Sequence, residues 1–285
     1  MAEYVIENVR DFHPEHIFEC GQCFRWNRQD DGSYTGTAMG RIVNIRLCPE
    51  GDEGEKACAG KVIIKNASPE DYDKIWRQYL DLDRDYGMIK QRLSAGDEVM
   101  ENAVAAGRGI RILKQDLWET IVSFIISQNN NIPRIKGCIE KLSALAGERL
   151  EDYDGQSVYA LPTVERLARL ESDDLAPVRL GYRAPYLIKT ARMVAEKGLP
   201  ENYEEVSALC GVGPKVANCI TLFGLHDLSS FPIDVWVRRV MNEMYGFEEK
   251  DVRGMAAFAA ERFGELGGIA QQYLFYYIRS KKGES

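Results

Sequence analysis

Hydrophobic and polar positions alternate over the first 65 residues, whereas apolar residues recur at helical spacing over most of the chain that follows. Val43, Ile45 and Leu47 occupy every second position, which is typical of a strand with one buried face. Residues 24–27 are predicted to form a short strand, residues 62–64 are a further apolar run, and turn residues separate these segments. The pattern predicts a small twisted antiparallel β-sheet at the N-terminus.

A mostly helical body is predicted after the sheet. Ser68 precedes Pro69 and two acidic residues, an order that favours a capped helix start. Farther on, apolar residues three and four positions apart predict buried helix faces. The predicted helices are residues 117–128, 132–146 and 186–196, the segments on either side of 209–213, the segment after 234, and residues 270–278. We therefore predict an α+β fold, with a sheet domain at residues 1–107 packed on a helical domain at residues 108–285.

The segment 209–215 reads Leu-Cys-Gly-Val-Gly-Pro-Lys and predicts a helix-hairpin-helix unit. Gly211 and Gly213 have no side chain that could block a ligand. Pro214 suits the first position of a helix, where its missing N–H costs nothing. Such a turn directs backbone N–H groups outward and binds phosphate. A Gly-x-Gly turn alone is a weak indication of function.

Lys215 and Asp234 are the candidate catalytic residues. Lys215 lies in the first helical turn, where the helix dipole and burial beside Val212 and Val216 both disfavour an ammonium. This position predicts a lowered pKa and a nucleophilic amine. Asp234 precedes an apolar helix and is a candidate N-cap, where a carboxylate is favoured. The alternatives are a lysine that contacts phosphate or solvent and an aspartate that only caps its helix.

Composition leaves nucleic acid open as a partner. The chain has 285 residues, 45% of them hydrophobic, which indicates a globular protein with an ample core. Its formal net charge of −8 disfavours DNA only mildly, because binding needs a local basic surface. An acidic run at residues 50–55 lies away from the motifs, whereas basic residues flank the asparagines at 129–131. These basic residues are Arg108, Arg111, Lys114, Arg134 and Lys136.

The sequence predicts neither a membrane segment nor a targeting signal. No run of 18 apolar residues occurs, and the N-terminus lacks the basic and apolar regions of a signal peptide. Seven scattered cysteines indicate reduced thiols in a reducing compartment. Cys20 and Cys23 have metal-ligand spacing, but no second pair or histidine cluster completes a tetrahedral site, so we predict no metal there.

Five separated motifs together resemble the 8-oxoguanine DNA glycosylase/AP lyase family of the helix-hairpin-helix DNA glycosylases. They are Gly-Gln-Cys-Phe-Arg-Trp at 21–26, Ser-Gln-Asn-Asn-Asn-Ile-Pro-Arg at 127–134, Leu-Gly-Tyr-Arg-Ala at 180–184, the hairpin with Pro-Ile-Asp-Val at 232–235, and Ala-Gln at 270–271 leading to Phe275. The resemblance implies base-excision repair of 8-oxoguanine in duplex DNA. It also implies that Lys215 attacks C1′, that Asp234 stabilises the transition state, and that Gly211 and Gly213 hold phosphate.

The resemblance further implies a pocket for the flipped base. Cys219 and Phe275 are expected on its two faces, and Gln271 at its Watson–Crick edge. The carbonyl of Gly21 is expected to accept a hydrogen bond from the N7–H that oxidised guanine has and guanine lacks. The alternative for Cys219 and Phe275 is ordinary core packing on their helices, and for Gly21 a simple turn before a strand.

Four more residues are implied to act on the DNA left behind. Asn129 is expected to fill the space of the flipped base, and Tyr182 to wedge the stack. Arg134 and Arg183 are expected to read the orphaned cytosine, which predicts a preference for cytosine opposite the lesion. The alternatives are a helix-capping asparagine and arginines that contact phosphate.

The chain departs from the family pattern in places. Trp236 stands where eukaryotic members commonly have histidine, which leaves a 5′-phosphate contact in doubt, and Pro214 replaces a common threonine. No cysteine follows Cys219, so the chain cannot carry the iron–sulfur cluster of related endonucleases. A structural cation at the hairpin carbonyls around Leu209 and Val212 is left open.

We therefore predict a monomeric enzyme that requires no cofactor and acts on double-stranded DNA containing oxidised guanine. In a prokaryote it is expected in the cytoplasm, associated with the nucleoid. One rival interpretation is a glycosylase for other damaged purines. The other is a DNA-binding helix-hairpin-helix module without chemistry, which has no need of both Lys215 and Asp234.

Overall fold

A five-stranded antiparallel sheet forms the N-terminal part of the protein. The computed structural model describes residues 2–49, 57–281 and 283; the acidic run at 50–55 and part of the predicted tail at 280–285 lie outside these residues. The strand order is β1-β5-β4-β3-β2. The strands are β1 (Glu3–Arg10), β2 (Trp26–Arg28), β3 (Tyr34–Ala38), β4 (Arg41–Pro49) and β5 (Ala59–Lys65).

The sheet encloses a core of aromatic and β-branched residues. Trp26, Tyr34, Ile45 and Ile64 are almost completely buried there. Gly36 pairs with Trp26 across β2 and β3, and a Cβ atom at position 36 would lie 2.3 Å from the indole ring. Only glycine therefore lets the strands approach at this point.

Fourteen α-helices within the described residues supply most of the remaining structure. They are α1 (Pro14–Phe18), α2 (Pro69–Asp71), α3 (Arg77–Tyr79), α4 (Tyr86–Ser94), α5 (Glu98–Ala106), α6 (Leu117–Ser127), α7 (Ile132–Ala146), α8 (Val164–Ala168), α9 (Arg183–Lys197), α10 (Tyr203–Ser207), α11 (Pro214–Phe223), α12 (Val235–Tyr245), α13 (Val252–Phe263) and α14 (Gly267–Lys281). A π-helical turn, Tyr72–Trp76, joins α2 to α3, and Ser172–Val178 and Gly264–Leu266 are 3₁₀-helical. No helix in the described ranges is long and apolar enough to cross a bilayer.

The predicted α+β fold is confirmed. Ser68 and Asp71 form the reciprocal capping bonds expected at a helix start. The segments at 24–27, 43–47 and 62–64 lie on or overlap β2, β4 and β5. The sequence analysis predicts no individual element at β1, β3, α4, α5, α8 or α13. Helices α4 and α5 precede residue 107 in the chain but pack in the core of the helical body. The domain boundary at residue 107 stays a prediction.

Arg25 attaches the sheet to the helical body. Its side chain is 1% exposed, and its Nε donates to Glu140 on α7 at 2.9 Å. One of its terminal nitrogens donates to the Tyr159 carbonyl at 2.7 Å. Beside it, Lys136 donates to the carbonyl of Trp26 at 2.6 Å. These charge-assisted bonds fix the position of the 21–26 motif against the helices.

We expect Arg25→Met to lower the free energy of unfolding by about 2–3 kcal/mol, because it removes buried hydrogen bonds made by a charged group. Urea unfolding measures this loss. The control is Arg149→Met, since Arg149 pairs with Asp152 on the open surface and should contribute much less. Equal losses in the two variants would contradict a docking role for Arg25.

Candidate active site

The predicted hairpin is present between α10 and α11. Gly211 has φ +79°, and a Cβ atom there would lie 2.4 Å from the Tyr186 ring, so both backbone and space require glycine. Val212 N–H donates to the Leu209 carbonyl and closes the turn. Within the described part of the chain, no acceptor receives the N–H of Gly211 or Gly213. These two N–H groups are thus available to a phosphate oxygen.

A small cavity of about 50 Å³ lies between the loop before β2 and helices α6, α11 and α14. It brings together residues that are far apart in the sequence. Six of the predicted site residues line it: Gly21, Lys215, Cys219, Asp234, Gln271 and Phe275. A cavity of this size is well below the roughly 300 Å³ at which ligand pockets begin. A purine base therefore enters only if the lining moves.

Lys215 lies half-buried at this cavity. Its Nζ is 5.5 Å from the centre of the Phe124 ring. Burial lowers the pKa of Lys215, but the Cys219 sulfur and the Asp234 carboxylate outweigh burial and leave that pKa above its ordinary value. The predicted lowered pKa is therefore wrong, because the two partners contribute more than burial and the helix end. The amine is protonated at neutral pH in this state.

Asp234 caps α12, as its sequence position predicts. Its Oδ1 accepts a hydrogen bond from Val237 N–H at 2.8 Å. Burial nevertheless raises the pKa of Asp234, and the Val237 bond and the charge of Lys215 only partly oppose it. Among the described residues no ion pair shorter than 4 Å joins Lys215 to Asp234. The two groups both line the cavity and affect each other's pKa without forming an ion pair.

The loop that carries Gly21 is held by the neighbouring Gln22. Gln22 is fully buried, and its Nε2 donates to the Arg111 carbonyl at 2.8 Å. Its Oε1 accepts from Leu113 N–H at 2.9 Å, and Gln115 donates to its carbonyl at 2.7 Å. These bonds tie the loop to the segment that leads into α6. The position of Gly21 is therefore rigidly defined.

Gly21 is left with an unused acceptor at the cavity. Its φ is +78°, and a Cβ atom there would lie 3.1 Å from the Phe275 ring. No described donor bonds to its carbonyl oxygen. Phe275 is half-buried, and the Arg279 guanidinium lies 5.3 Å from the centre of its ring. Glycine thus permits both the turn and the close approach of the aromatic ring.

Asn129, Tyr182 and Arg183 meet at the end of α6. Asn129 is exposed with φ +45°, and its Nδ2 donates to the Tyr182 hydroxyl at 3.2 Å. Arg183 is 4% exposed, stacks 4.5 Å from the Tyr182 ring centre, and donates to the carbonyls of Gln128 and Asn129. Its guanidinium therefore supports the loop. Arg134 is exposed and donates to the Arg179 carbonyl at 3.2 Å.

Arg111 was expected on the basic surface, and this expectation is wrong. Arg111 is only 4% exposed, and it donates to the carbonyls of Arg10, Asp11 and Asp81. It organises backbone and does not face DNA. Buried arginines of this kind cannot be told from surface arginines by spacing in the sequence.

Five cavity residues were not predicted as site residues. They are Cys20, Phe124, Phe223, Pro232 and Gln272. Cys20 and Gln272 adjoin predicted residues and Pro232 lies two positions before Asp234, so nearness in the sequence was a usable signal for these three, and Phe223 lies on the same helix face as Lys215 and Cys219. Phe124 carried no signal beyond its helical period, because its place in the site depends on how α6 packs against α11.

The cysteines are structural thiols. No disulfide joins the seven cysteines, all of which the structure describes. Burial raises the pKa of Cys20 to about 12 and that of Cys23 well above its ordinary value. Among the described residues no group of three His, Cys, Asp or Glu side chains could hold a metal ion. At the hairpin, the carbonyl of Cys210 accepts from Thr190 Oγ1 at 3.0 Å.

Comparisons with known proteins agree with this geometry. Residues 4–121 match the model of the 8-oxoguanine DNA glycosylase N-terminal domain, and residues 122–265 match that of the HhH-GPD superfamily base excision DNA repair protein. The N-glycosylase/DNA lyase OGG1 of Arabidopsis thaliana is 31% identical over 90% of this chain and 75% of its own length. The N-glycosylase/DNA lyase of Saccharomyces cerevisiae is 37% identical over 81% of this chain and 67% of its own.

A solved structure extends the likeness to the whole fold. The Clostridium acetobutylicum 8-oxoguanine glycosylase/lyase, in complex with double-stranded DNA containing cytosine opposite 8-oxoguanine, superposes with a TM-score of 0.87 and 39% identity over 99% of each chain. Together the two family models cover residues 4–265, which include the hairpin and the cavity residues Gly21, Lys215, Cys219 and Asp234, whereas the cavity residues of α14 lie beyond them. The chain therefore belongs to the 8-oxoguanine DNA glycosylase family of helix-hairpin-helix base-excision DNA repair enzymes.

Proposed function

We propose that this enzyme removes 8-oxoguanine from duplex DNA through Lys215. The amine attacks C1′ of the flipped nucleotide, the C1′–N9 bond breaks, and the base leaves with its bonding electrons and a proton. The C1′–O4′ bond of the resulting aminal then breaks, O4′ takes up a proton, and an imine forms between Nζ and C1′. The imine permits loss of a 2′ proton and departure of the 3′ phosphate. The observation that carries the proposal is a half-buried lysine amine facing Asp234 in a cavity lined by Cys219 and Phe275.

The proton of Lys215 has to leave before attack. Its pKa is above the ordinary value in the free enzyme, mainly because the sulfur and carboxylate nearby overcome burial. A base that fills the cavity displaces water and strengthens the burial effect, which favours the neutral amine. Asp234 then faces positive charge that develops on the sugar, and a carboxylate at that place stabilises it.

Selection of the oxidised base is assigned to Gly21. Its carbonyl has no donor among the described residues and lies at the cavity. The N7–H of 8-oxoguanine can satisfy this oxygen, whereas N7 of guanine is an acceptor and opposes it. Such a mismatch costs about 1–3 kcal/mol.

Contact with the strand opposite the lesion is assigned to the surface around Asn129. Tyr182 is 46% exposed beside it and is suited to wedge between bases, while exposed Arg134 keeps most of its donors for cytosine. Because the Clostridium acetobutylicum relative binds DNA with cytosine opposite 8-oxoguanine, we propose a cytosine preference here. Arg183 is assigned to hold the loop as well as to contact the orphaned base.

We further propose that the enzyme acts as a monomer without a cofactor and that, if its source is a prokaryote, it acts in the cytoplasm. Attack, charge stabilisation and base recognition are all supplied by side chains and backbone at one cavity. Among the described residues Cys210 O and Leu209 O each accept a protein hydrogen bond, so a hairpin cation would share them with existing donors.

Lys215→Gln should abolish covalent trapping of the enzyme on 8-oxoguanine duplex by borohydride, because an amide cannot form the imine. The affinity of this variant for the lesion duplex should stay within a few-fold of the wild-type affinity. Lys141→Gln is the control, since Lys141 is exposed on α7. Trapping that persists in the Lys215 variant refutes the nucleophile assignment.

The single-turnover rate of base release should rise with pH through the neutral range. The raised pKa of Lys215 leaves its amine protonated, so each increase in pH enlarges the neutral, nucleophilic fraction. Asp234→Asn removes a group that raises this pKa. Its lower residual rate should therefore reach its plateau at a lower pH than the wild-type rate. An unshifted profile contradicts the coupling of the two residues.

Arg134→Ala should reduce the preference for cytosine over adenine opposite the lesion by about tenfold or more, in line with the value of about 1–3 kcal/mol for a good base contact. Rates of base release from the two duplexes measure the preference. Arg166→Ala, an exposed arginine outside the motifs, serves as control. If wild type works equally well opposite all four bases, Arg134 does not read the orphaned base.

A further inference from the structure

Two adjacent glutamines of α14 line the base cavity. Gln271 and Gln272 are each only 3% exposed. Nε2 of Gln272 donates to Oε1 of Gln271 at 2.9 Å. This bond orients the Gln271 amide, because its oxygen must face its neighbour. Nε2 of Gln271 donates to no described residue and is left for a ligand.

The other end of the pair is an unused acceptor. Oε1 of Gln272 is shielded from solvent, and no described group donates to it. Buried amide oxygens in native proteins are nearly always hydrogen-bonded, and an unpaired one is destabilising. Because this unpaired oxygen belongs to a residue of the base cavity, we expect a donor of the bound base to form its missing hydrogen bond.

The Watson–Crick edge of 8-oxoguanine supplies such a donor. It presents the O6 acceptor, the N1–H donor and the exocyclic 2-amine side by side. Gln271 in its observed orientation has donors for O6 and a second lone pair on Oε1 for N1–H. Beyond N1–H on the edge of the base comes the 2-amine, and beyond Gln271 in the hydrogen-bonded pair comes the amide of Gln272.

We infer that Oε1 of Gln272 accepts a hydrogen bond from the 2-amine of the flipped base, which makes Gln272 a specificity-determining residue. The inference rests on the proposed function, since it names a second contact in the same base pocket. Gln272 thereby acts twice: its Nε2 orients Gln271, and its Oε1 selects bases that carry an amine at C2.

Single-turnover base release tests the contact. Duplexes carry 8-oxoguanine or 8-oxohypoxanthine, which lacks the 2-amine, opposite cytosine. The ratio of the two rates should fall by about tenfold or more from wild type to Gln272→Met, which keeps the size of the side chain but removes the acceptor. Comparing ratios cancels the weaker pairing of 8-oxohypoxanthine, because both enzymes meet the same duplexes.

A ratio that Gln272→Met leaves unchanged overturns the inference, even if both rates fall, because the orphan oxygen then serves packing or a buried water. Gln272→Glu at about pH 6 is the second variant. Its buried carboxyl, with a raised pKa, keeps one donor and one acceptor and should retain the wild-type ratio; loss of the ratio overturns the inference. A wild-type enzyme that releases neither base contradicts the proposed function instead.

Discussion

The ammonium of Lys215 and the carboxylate of Asp234 share one largely buried cavity, and most of the surrounding structure keeps them there. Placing two charges away from water is costly unless each is compensated. Asp234 is compensated by the first turn of α12, whose Val237 N–H it accepts. Lys215 has the Cys219 side chain and the Phe124 ring. Because the two charges do not touch, each remains able to respond when a substrate arrives.

The sheet contributes to this site through a single loop. Its core is separate from the core of the helical body, yet Cys20 and Phe24 pack in the helical core. Gln22 and Arg25 then bond the same loop to backbone and side chains of the helices. The proposed recognition of the base by Gly21 therefore depends on a part of the chain that is remote in sequence from the hairpin.

The elements with strong local patterns were predictable from the sequence, and the contacts between elements were less so. The runs of β4, α6 and α7 carry clear periods, and Asp234 caps a helix as its position indicated. The edge strand β1 and the glycine-containing β3 depend on their partners and carry weak patterns. The resemblance to the family named six residues of the cavity, but Phe124 enters it through packing alone. The direction of the Lys215 pKa shift was predicted wrongly because only burial and the helix end were considered, whereas the Cys219 sulfur one turn along α11 and the Asp234 carboxylate together outweigh burial.

The hydrogen bonds from Gln22 to the backbone of Arg111 and Leu113 also limit how domains can be exchanged between members of the family. A graft of the sheet from one family member onto the helices of another would bring the Gly21 loop but leave its anchor behind in the donor protein. The transplanted carbonyl would then lie on a backbone held by mismatched partners. Exchangeable modules in this protein would consequently have to be cut after residue 115, so that the partners of Gln22 at Arg111, Leu113 and Gln115 stay with the loop.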